Sequence, residues 1–176
     1  MSKRNITPTS REIVMKEEEF IVSKTDLKGR ITYGNKTFLE FSGFDEAEMI
    51  GTQHNVIRHP DMPRAVFKIL WDAIQSKREV FAYVKNISKD GGYYWVLANV
   101  TPSVDESGQV LGYYSVRRKP NPKAIQVVSA LYKQMLDEER RAGARDAISA
   151  STELLNQVLK GRGQSYEQMV LSLQAL

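Results

Sequence analysis

His54-Asn55-Val56-Ile57-Arg58-His59-Pro60-Asp61-Met62-Pro63 is the most informative stretch of this 176-residue chain. It contains the only two histidines of the sequence, together with an arginine, an aspartate, an asparagine and two prolines. Clustered polar residues and two prolines predict a loop or a broken helix rather than a core element. Because loops held on a rigid scaffold carry many binding residues, residues 54–63 are a candidate binding site. The alternative is a surface turn with capping side chains.

Upstream of this stretch the sequence alternates between short strands and short helices. Two strand-like segments flank a turn in which Gly29 is suited to a positive φ, which predicts a β-hairpin. Two short helices follow, each ended by a glycine. The predicted segments are strands at 20–26 and 31–35 and helices at 35–42 and 46–50.

Downstream, one amphipathic helix precedes three strands. Pro63 is suited to the first helical position, and Asp61 stands where a capping residue is expected. Apolar residues then recur every three or four positions through 65–73, which predicts a helix with one buried face. Strands are predicted at 80–88, 93–102 and 110–119, the first two joined by a Gly-containing turn. The order β-β-α-α-loop-α-β-β-β predicts an α+β fold, an antiparallel sheet with helices on one face.

The chain ends in a helical extension. We expect three regions: a flexible lead with one helical turn at 1–19, a domain at 20–119, and helices at 120–176. Asn121 and Pro122 open a long helix, which Gly143 weakens, and a second amphipathic stretch follows at 144–159. A last short helix is predicted at 166–176. The apolar stripes of these helices need a surface to bury against, because packing supplies most of a helix's stability.

Composition excludes several classes of protein. Lys and Arg total 25 and Asp and Glu total 21, interspersed, so the net charge of +4 does not predict nucleic-acid binding. The chain has no cysteine, which excludes disulfides and thiolate metal sites. No signal peptide and no apolar run of about 18 residues is present, so a cytoplasmic protein is expected. No catalytic set, P-loop, GxGxxG motif or metal-ligand spacing is found, so an enzyme is not expected.

The order of elements and three sequence words resemble a known family. The words Asn55-Val56-Ile57-Arg58-His59-Pro60-Asp61-Met62-Pro63, Val84-Lys85-Asn86 and Tyr94-Trp95-Val96-Leu97-Ala98-Asn99 look like those of the PAS sensor of bacterial aerotaxis receptors. The resemblance covers about residues 20–118, and the chain resembles the stand-alone cytoplasmic form of this sensor. It implies a PAS fold with a five-stranded antiparallel sheet, noncovalently bound FAD, and redox signalling to a chemotaxis apparatus. Val80 and Ala82 stand where the receptors carry tryptophan and glycine, a difference that reshapes the expected cofactor wall.

The resemblance and the side-chain chemistry together nominate phosphate- and sugar-binding residues. Arginine recognises phosphate through two parallel hydrogen bonds, so Arg58 is expected to bind the pyrophosphate of FAD. His59 and Asp61 are expected to bond sugar hydroxyls or to orient Arg58. The alternative is that Asp61 caps the following helix and pairs with Arg58 structurally.

Other residues are expected at the flavin ring. An asparagine amide both donates and accepts, so Asn35 and Asn86 suit the polar ring edge, and Asn86 is otherwise disfavoured within a strand. Phe67 and Trp71, one helical turn apart, are expected to form a wall or plain core. His54 is a candidate cofactor residue and, like His59, an eligible haem ligand.

The leading hypothesis is therefore a cytoplasmic FAD-binding PAS redox sensor that signals to a membrane chemotaxis transducer. The alternatives are a cofactor-free PAS interaction or dimerisation module and a haem-binding gas sensor. The C-terminal helices are expected to bury their stripes in a homodimer or against the transducer. The other option is that they fold back on the chain's own sheet around Tyr94 or Trp95.

Overall fold

The computed structural model describes residues 6–176. Its elements follow the predicted order, with a short 3₁₀ helix in the central stretch and two helices after the last strand. The strands are β1 (Ile21–Thr25), β2 (Ile31–Gly34), β3 (Val80–Ile87), β4 (Tyr93–Val104) and β5 (Val110–Arg118); the helices are α1 (Lys36–Ser42), α2 (Glu46–Met49), α3 (Arg64–Gln75), α4 (Pro122–Arg162) and α5 (Tyr166–Gln174), with the 3₁₀ helix at His54–Ile57.

The five strands form one antiparallel sheet in the order β2-β1-β5-β4-β3. The first and last strands of the domain are therefore neighbours at its centre, with Ser23 opposite Ser115. β4 pairs with β5 on one side and with the edge strand β3 on the other, where Asn86 of β3 lies opposite Tyr94 of β4. The predicted α+β fold with a five-stranded antiparallel sheet is confirmed.

The two faces of the sheet have different partners because side chains alternate along each strand. Val84 and Asn86 of β3 line a cavity that α3 and the 3₁₀ helix cover from the other side. Tyr83, between Ala82 and Val84, faces the opposite way and contacts the C-terminal helices. Its backbone carbonyl accepts a hydrogen bond from the Tyr132 hydroxyl at 2.8 Å. Its own hydroxyl donates to the Val170 carbonyl at 3.1 Å.

Helices therefore cover both faces, whereas the sequence predicted helices on one face only. The C-terminal helices pack on the chain's own sheet, the second of the two options, and Trp95 lies 6.2 Å from Tyr132 between ring centroids. The physical reason is that the outer face of β3 and β4 is itself apolar, so the stripe of α4 finds an in-chain surface. The buried residues in the first part of α4 include Ala124, Val128, Leu131, Tyr132 and Met135.

Helix α4 is bent into an antiparallel hairpin at Gly143, whose φ of 76° and ψ of 173° are not helical. We call Pro122–Arg162 the C-terminal hairpin. Its second half packs back on the first, since Ser151 Oγ donates to Glu139 Oε1 at 2.8 Å and Leu155 is buried in the same core as Leu131. The predicted weakening of the helix at Gly143 is confirmed, in the stronger form of a complete break.

The N-terminal lead differs from its prediction, and residues 1–5 of that lead lie outside the described residues. Residues 6–19 contain no helix. Instead, backbone hydrogen bonds attach the segment to the start of β4: Thr9 N donates to the Gly91 carbonyl and Ile13 N to the Tyr93 carbonyl, both at 2.8 Å. Met15 is buried in the core. Among the described residues, no helix combines the length and apolar character needed to cross a bilayer.

Candidate functional site

A cavity of about 1070 Å³ lies between the inner face of the sheet, the 3₁₀ helix, α3 and the C-terminal hairpin. This volume is at the upper end of the roughly 300–1,000 Å³ that is usual for small-molecule sites. Its lining includes polar side chains from β1, β3 and β5 and apolar side chains from α3. The fold therefore provides room for a ligand larger than a single ring system.

Arg117 is the most unusual group in the cavity lining, because it is a buried cation without a counterion. It is 2% exposed, and no carboxylate pairs with it among residues 6–176. Nε donates to Ser115 Oγ at 3.0 Å, Nη2 contacts Ser23 Oγ, and Nη1 has no partner. Burial lowers the pKa of Arg117 from its ordinary value to about 10, so it still carries its charge at neutral pH. An unpaired charge in such a place is costly unless an anion or a polar ligand group compensates it.

His54 completes this polar cluster. Its Nε2 lies 3.0 Å from both Arg117 Nη2 and Ser23 Oγ, and its ring stacks on Phe38 at 5.8 Å. Because arginine can only donate, Nε2 accepts and the proton of the neutral ring is on Nδ1. Burial, and then the neighbouring Arg117, lower the pKa of His54 to about 3. His54 is therefore a neutral acceptor that holds Arg117.

Arg58 lies farther along the same cavity, stacked on an aromatic ring. Its guanidinium carbon is 3.9 Å from the centroid of Phe67, and Nη2 donates to the Met62 carbonyl at 3.3 Å. Burial lowers the pKa of Arg58, nearby Glu139 raises it and Arg64 lowers it further. Arg58 forms no ion pair within 4 Å with a described residue, so its remaining donors are free for a ligand.

His59 lines the cavity, whereas Asp61 does not. His59 Nδ1 accepts from the Asp61 backbone N at 3.1 Å, so Nε2 carries the proton, and that buried atom has no partner. Burial and Lys85 lower the pKa of His59 to about 4, although Asp61 opposes them. Burial raises the pKa of Asp61, but its bond to Lys85 Nζ at 2.7 Å lowers it overall.

The expectation that Asp61 caps α3 is wrong. The first turn of α3 is capped by Glu139 of the C-terminal hairpin, whose Oε1 accepts from Arg64 N at 2.7 Å and Ala65 N at 3.3 Å. Asp61 points instead to Lys85 on β3, the edge strand. A partner from a distant part of the sequence thus replaces the local cap.

The two asparagines have different environments. Asn86 is 4% exposed and lines the cavity, and its side-chain amide makes no hydrogen bond with a described residue. Asn35 is absent from the lining, because its side chain caps α1. Its Oδ1 accepts from Phe38 N and Val22 N, and its Nδ2 donates to the Phe20 carbonyl at 2.8 Å. All of the polar capacity of Asn35 is therefore used by the fold itself.

The aromatic residues of α3 form one wall of the cavity. Trp71 meets Tyr113 edge-to-face at 5.7 Å, and both line the cavity with Phe67. A Cβ added at Gly29 would lie 3.2 Å from the Trp71 ring, so the turn between β1 and β2 must pass close to this tryptophan. The wall is therefore fixed from two sides.

The structure brings six of the eight predicted site residues to the cavity and leaves out Asn35 and Asp61. The six are His54, Arg58, His59, Phe67, Trp71 and Asn86. Sequence reasoning missed Ser23, Ser115 and Arg117. The signal was present, because Arg117 alternates with Ser115 and Tyr113 along β5 and must share their face. No group of three or more potential metal ligands is found among the described residues.

Comparison with known proteins agrees with this architecture. The family model described as PAS fold matches residues 31–117. The aerotaxis receptor of Escherichia coli (strain K12) is 38% identical over 127 residues, which are 72% of this chain and 25% of the receptor. This chain therefore spans about a quarter of the length of that relative.

Solved structures show the same fold. The crystal structure of the PAS domain of a protein from Colwellia psychrerythraea superposes with a TM-score of 0.53 at 22% identity, covering 57% of this chain and 85% of that one. The dark structure of the blue-light photoreceptor Aureochrome1 LOV superposes with a TM-score of 0.52 at 24% identity, covering 67% and 83%. At these identities the likeness is one of fold alone.

Proposed function

This chain carries a PAS domain related to that of a bacterial aerotaxis receptor, and on that premise we propose that it is an FAD-binding redox sensor. The observation that carries the proposal is the buried, uncompensated guanidinium of Arg117 inside a large cavity. A flavin ring offers hydrogen-bond acceptors and gains electron density on reduction, so it suits a fixed cation with a free donor. The role proposed is signalling rather than catalysis.

The residues of the cavity fit the parts of FAD. Arg117 Nη1 and the unbonded amide of Asn86 would bond the polar edge of the ring. Phe67 and Trp71 would pack against the ring, and Arg58 would bind the pyrophosphate. When bound, FAD supplies a group whose charge and protonation depend on the redox state of its surroundings.

The cluster around Arg117 would transmit that state to the backbone. Arg117 joins β5 to Ser23 on β1 and to His54 on the 3₁₀ helix. A change in negative charge beside Arg117 alters how strongly the guanidinium holds His54 Nε2. The 3₁₀ helix is followed by residues 58–63, which we call the Arg58 loop, and then by α3. A shift of His54 would therefore reach the first turn of α3, which Glu139 caps, and hence the C-terminal hairpin. Such a switch works only if the two ligand states bind the two conformations with different free energies.

The proposed partner is a membrane-bound chemotaxis transducer, with the sensor in the cytoplasm. The support for this part is the similarity to an aerotaxis receptor, of which this chain spans only a part. The C-terminal hairpin is the proposed output element, because it contacts both the sheet and the first turn of α3.

A visible absorption spectrum of the purified protein tests the proposal. Flavin bands with about one FAD per chain, before or after reconstitution, are expected. A Soret band would show that the chain binds haem instead of FAD. In that case the axial ligand would be His59, whose buried Nε2 has no partner, because His54 Nε2 is already bonded to Ser23 and Arg117. A spectrum that stays blank after reconstitution would support the cofactor-free interaction module and refute the sensor.

A further inference from the structure

The C-terminal hairpin contributes directly to the cavity, although it follows the matched PAS region in sequence. Five hairpin residues with small or apolar side chains line the end of the cavity beside the first turn of α3, where Glu139 bonds Arg64 N. They are Leu136, Gly143, Ala144, Ala147 and Ile148. We call these residues the hairpin wall.

The position of the hairpin wall is fixed by a buried carboxylate. Glu139 is 7% exposed and bonds the first turn of α3 and Ser151 of the second hairpin half. Both halves of the hairpin are therefore attached at the helix that follows the Arg58 loop. The wall is a built part of the cavity rather than a loosely apposed helix.

The chemistry of this end suits a phosphate joined to a planar base. Arg58 and Arg64 both line it, and neither forms an ion pair with a described residue. His59, 3% exposed, also lines it and has a buried Nε2 without a partner. Ile148 is 38% exposed and apolar, and a Cβ built at Gly143 would meet nothing within 4 Å. Cations, an unpaired donor and open space beside apolar side chains thus occur together.

We infer that the hairpin wall and the Arg58–Arg64 segment form a subsite for the adenosine and pyrophosphate half of FAD, and that this subsite makes the chain prefer FAD to FMN and riboflavin. The inference rests on the proposed function, because the ring half must occupy the end near Arg117. It gives the C-terminal hairpin a direct contact with the ligand.

Binding of riboflavin, FMN and FAD to the full chain tests the inference, with Ala144→Glu and Ala144→Lys as paired variants. Ala144 is exposed on the hairpin wall, so either side chain can be accommodated. A carboxylate there repels the pyrophosphate, so Ala144→Glu is expected to lower FAD affinity roughly tenfold and to leave riboflavin affinity unchanged. Ala144→Lys is expected to keep or raise FAD affinity.

Ser149→Glu is the matched control, since Ser149 is exposed on the same helix but absent from the cavity lining. It should change none of the three affinities. Equal affinities of the unaltered chain for FMN and FAD would overturn the inference, as would a parallel loss of all three flavins in Ala144→Glu. If the unaltered chain binds none of the three, the proposed function fails together with the inference.

Discussion

Replacing Arg117 by methionine should stabilise the ligand-free protein while it weakens FAD binding. Burial lowers the pKa of Arg117 by between two and three units, to about 10. At about 1.4 kcal/mol per unit, keeping this guanidinium charged costs roughly 3 kcal/mol. The bonds to Ser23, Ser115 and His54 return about 1 kcal/mol each. Burying the methionine side chain contributes about 1.5–3 kcal/mol in its place. The expected net gain is about 1–2 kcal/mol, as for other buried charges replaced by apolar residues.

Thermal unfolding of the ligand-free protein measures this gain. For a chain of this size, about 1–2 kcal/mol corresponds to an increase of roughly 2–8 °C in Tm. Arg117→Met also removes the proposed charge-assisted bond to the flavin. FAD affinity should therefore fall about ten- to hundredfold. Arg118→Met is the matched control, because Arg118 is exposed and its loss changes the net charge equally. A lower Tm in Arg117→Met, or an unchanged FAD affinity, would refute the reasoning.

Three further predictions concern the α3 cap, the free amide and the histidines. Glu139→Ala should destabilise the protein by about 2–3 kcal/mol in urea unfolding, whereas Asp137→Ala, at an exposed neighbour, should stay within about 0.5 kcal/mol. Asn86→Leu should lower FAD affinity roughly five- to tenfold and not reduce ligand-free stability, because no internal bond is lost; a marked loss of stability would contradict the assignment. His54 and His59 have folded pKa values of about 3 and about 4, below the ordinary 6.5. Below pH 6.5 the unfolded chain therefore binds protons that the folded chain does not. The stability that the two neutral histidines contribute is complete above pH 6.5 and is lost as pH falls towards 3. Unfolding free energies at pH 7 and pH 5 should show this decline, by at most about 1.4 kcal/mol per pH unit per histidine, and His54→Gln should reduce the slope.

Local patterns were sufficient for the elements and for much of the cavity. Strand-like segments bounded by glycine-containing turns located the strands, and apolar residues at helical spacing located α3. The clustered polar residues at 54–63 predicted a loop or broken helix, and the structure places Arg58 and His59 of that stretch in the cavity lining. These features depend on neighbours a few residues apart, which a single sequence displays directly.

Long-range choices could not be predicted in the same way. Asn35 and Asn86 have the same side chain, but one caps a helix and the other lies free in the cavity, and only the folded chain separates the two. Asp61 stood at a plausible capping position, yet Glu139, 75 residues beyond Arg64, provides the cap. Arg117 is followed by Arg118 and Lys119 in the sequence, which does not distinguish the three basic residues, and its burial depends on the pairing of β5 with β1.

The exchange of backbone amides in the C-terminal hairpin, compared between oxidised and dithionite-reduced FAD-loaded protein, tests the central claim most directly. If the redox state at Arg117 is passed through His54 and the α3 cap to the hairpin, amides of residues 136–155 should differ in protection between the two states. The same amides should respond less in Glu139→Gln, which weakens the cap without removing its acceptor. Identical hairpin protection in both redox states, in a protein that holds its FAD throughout, would contradict the account.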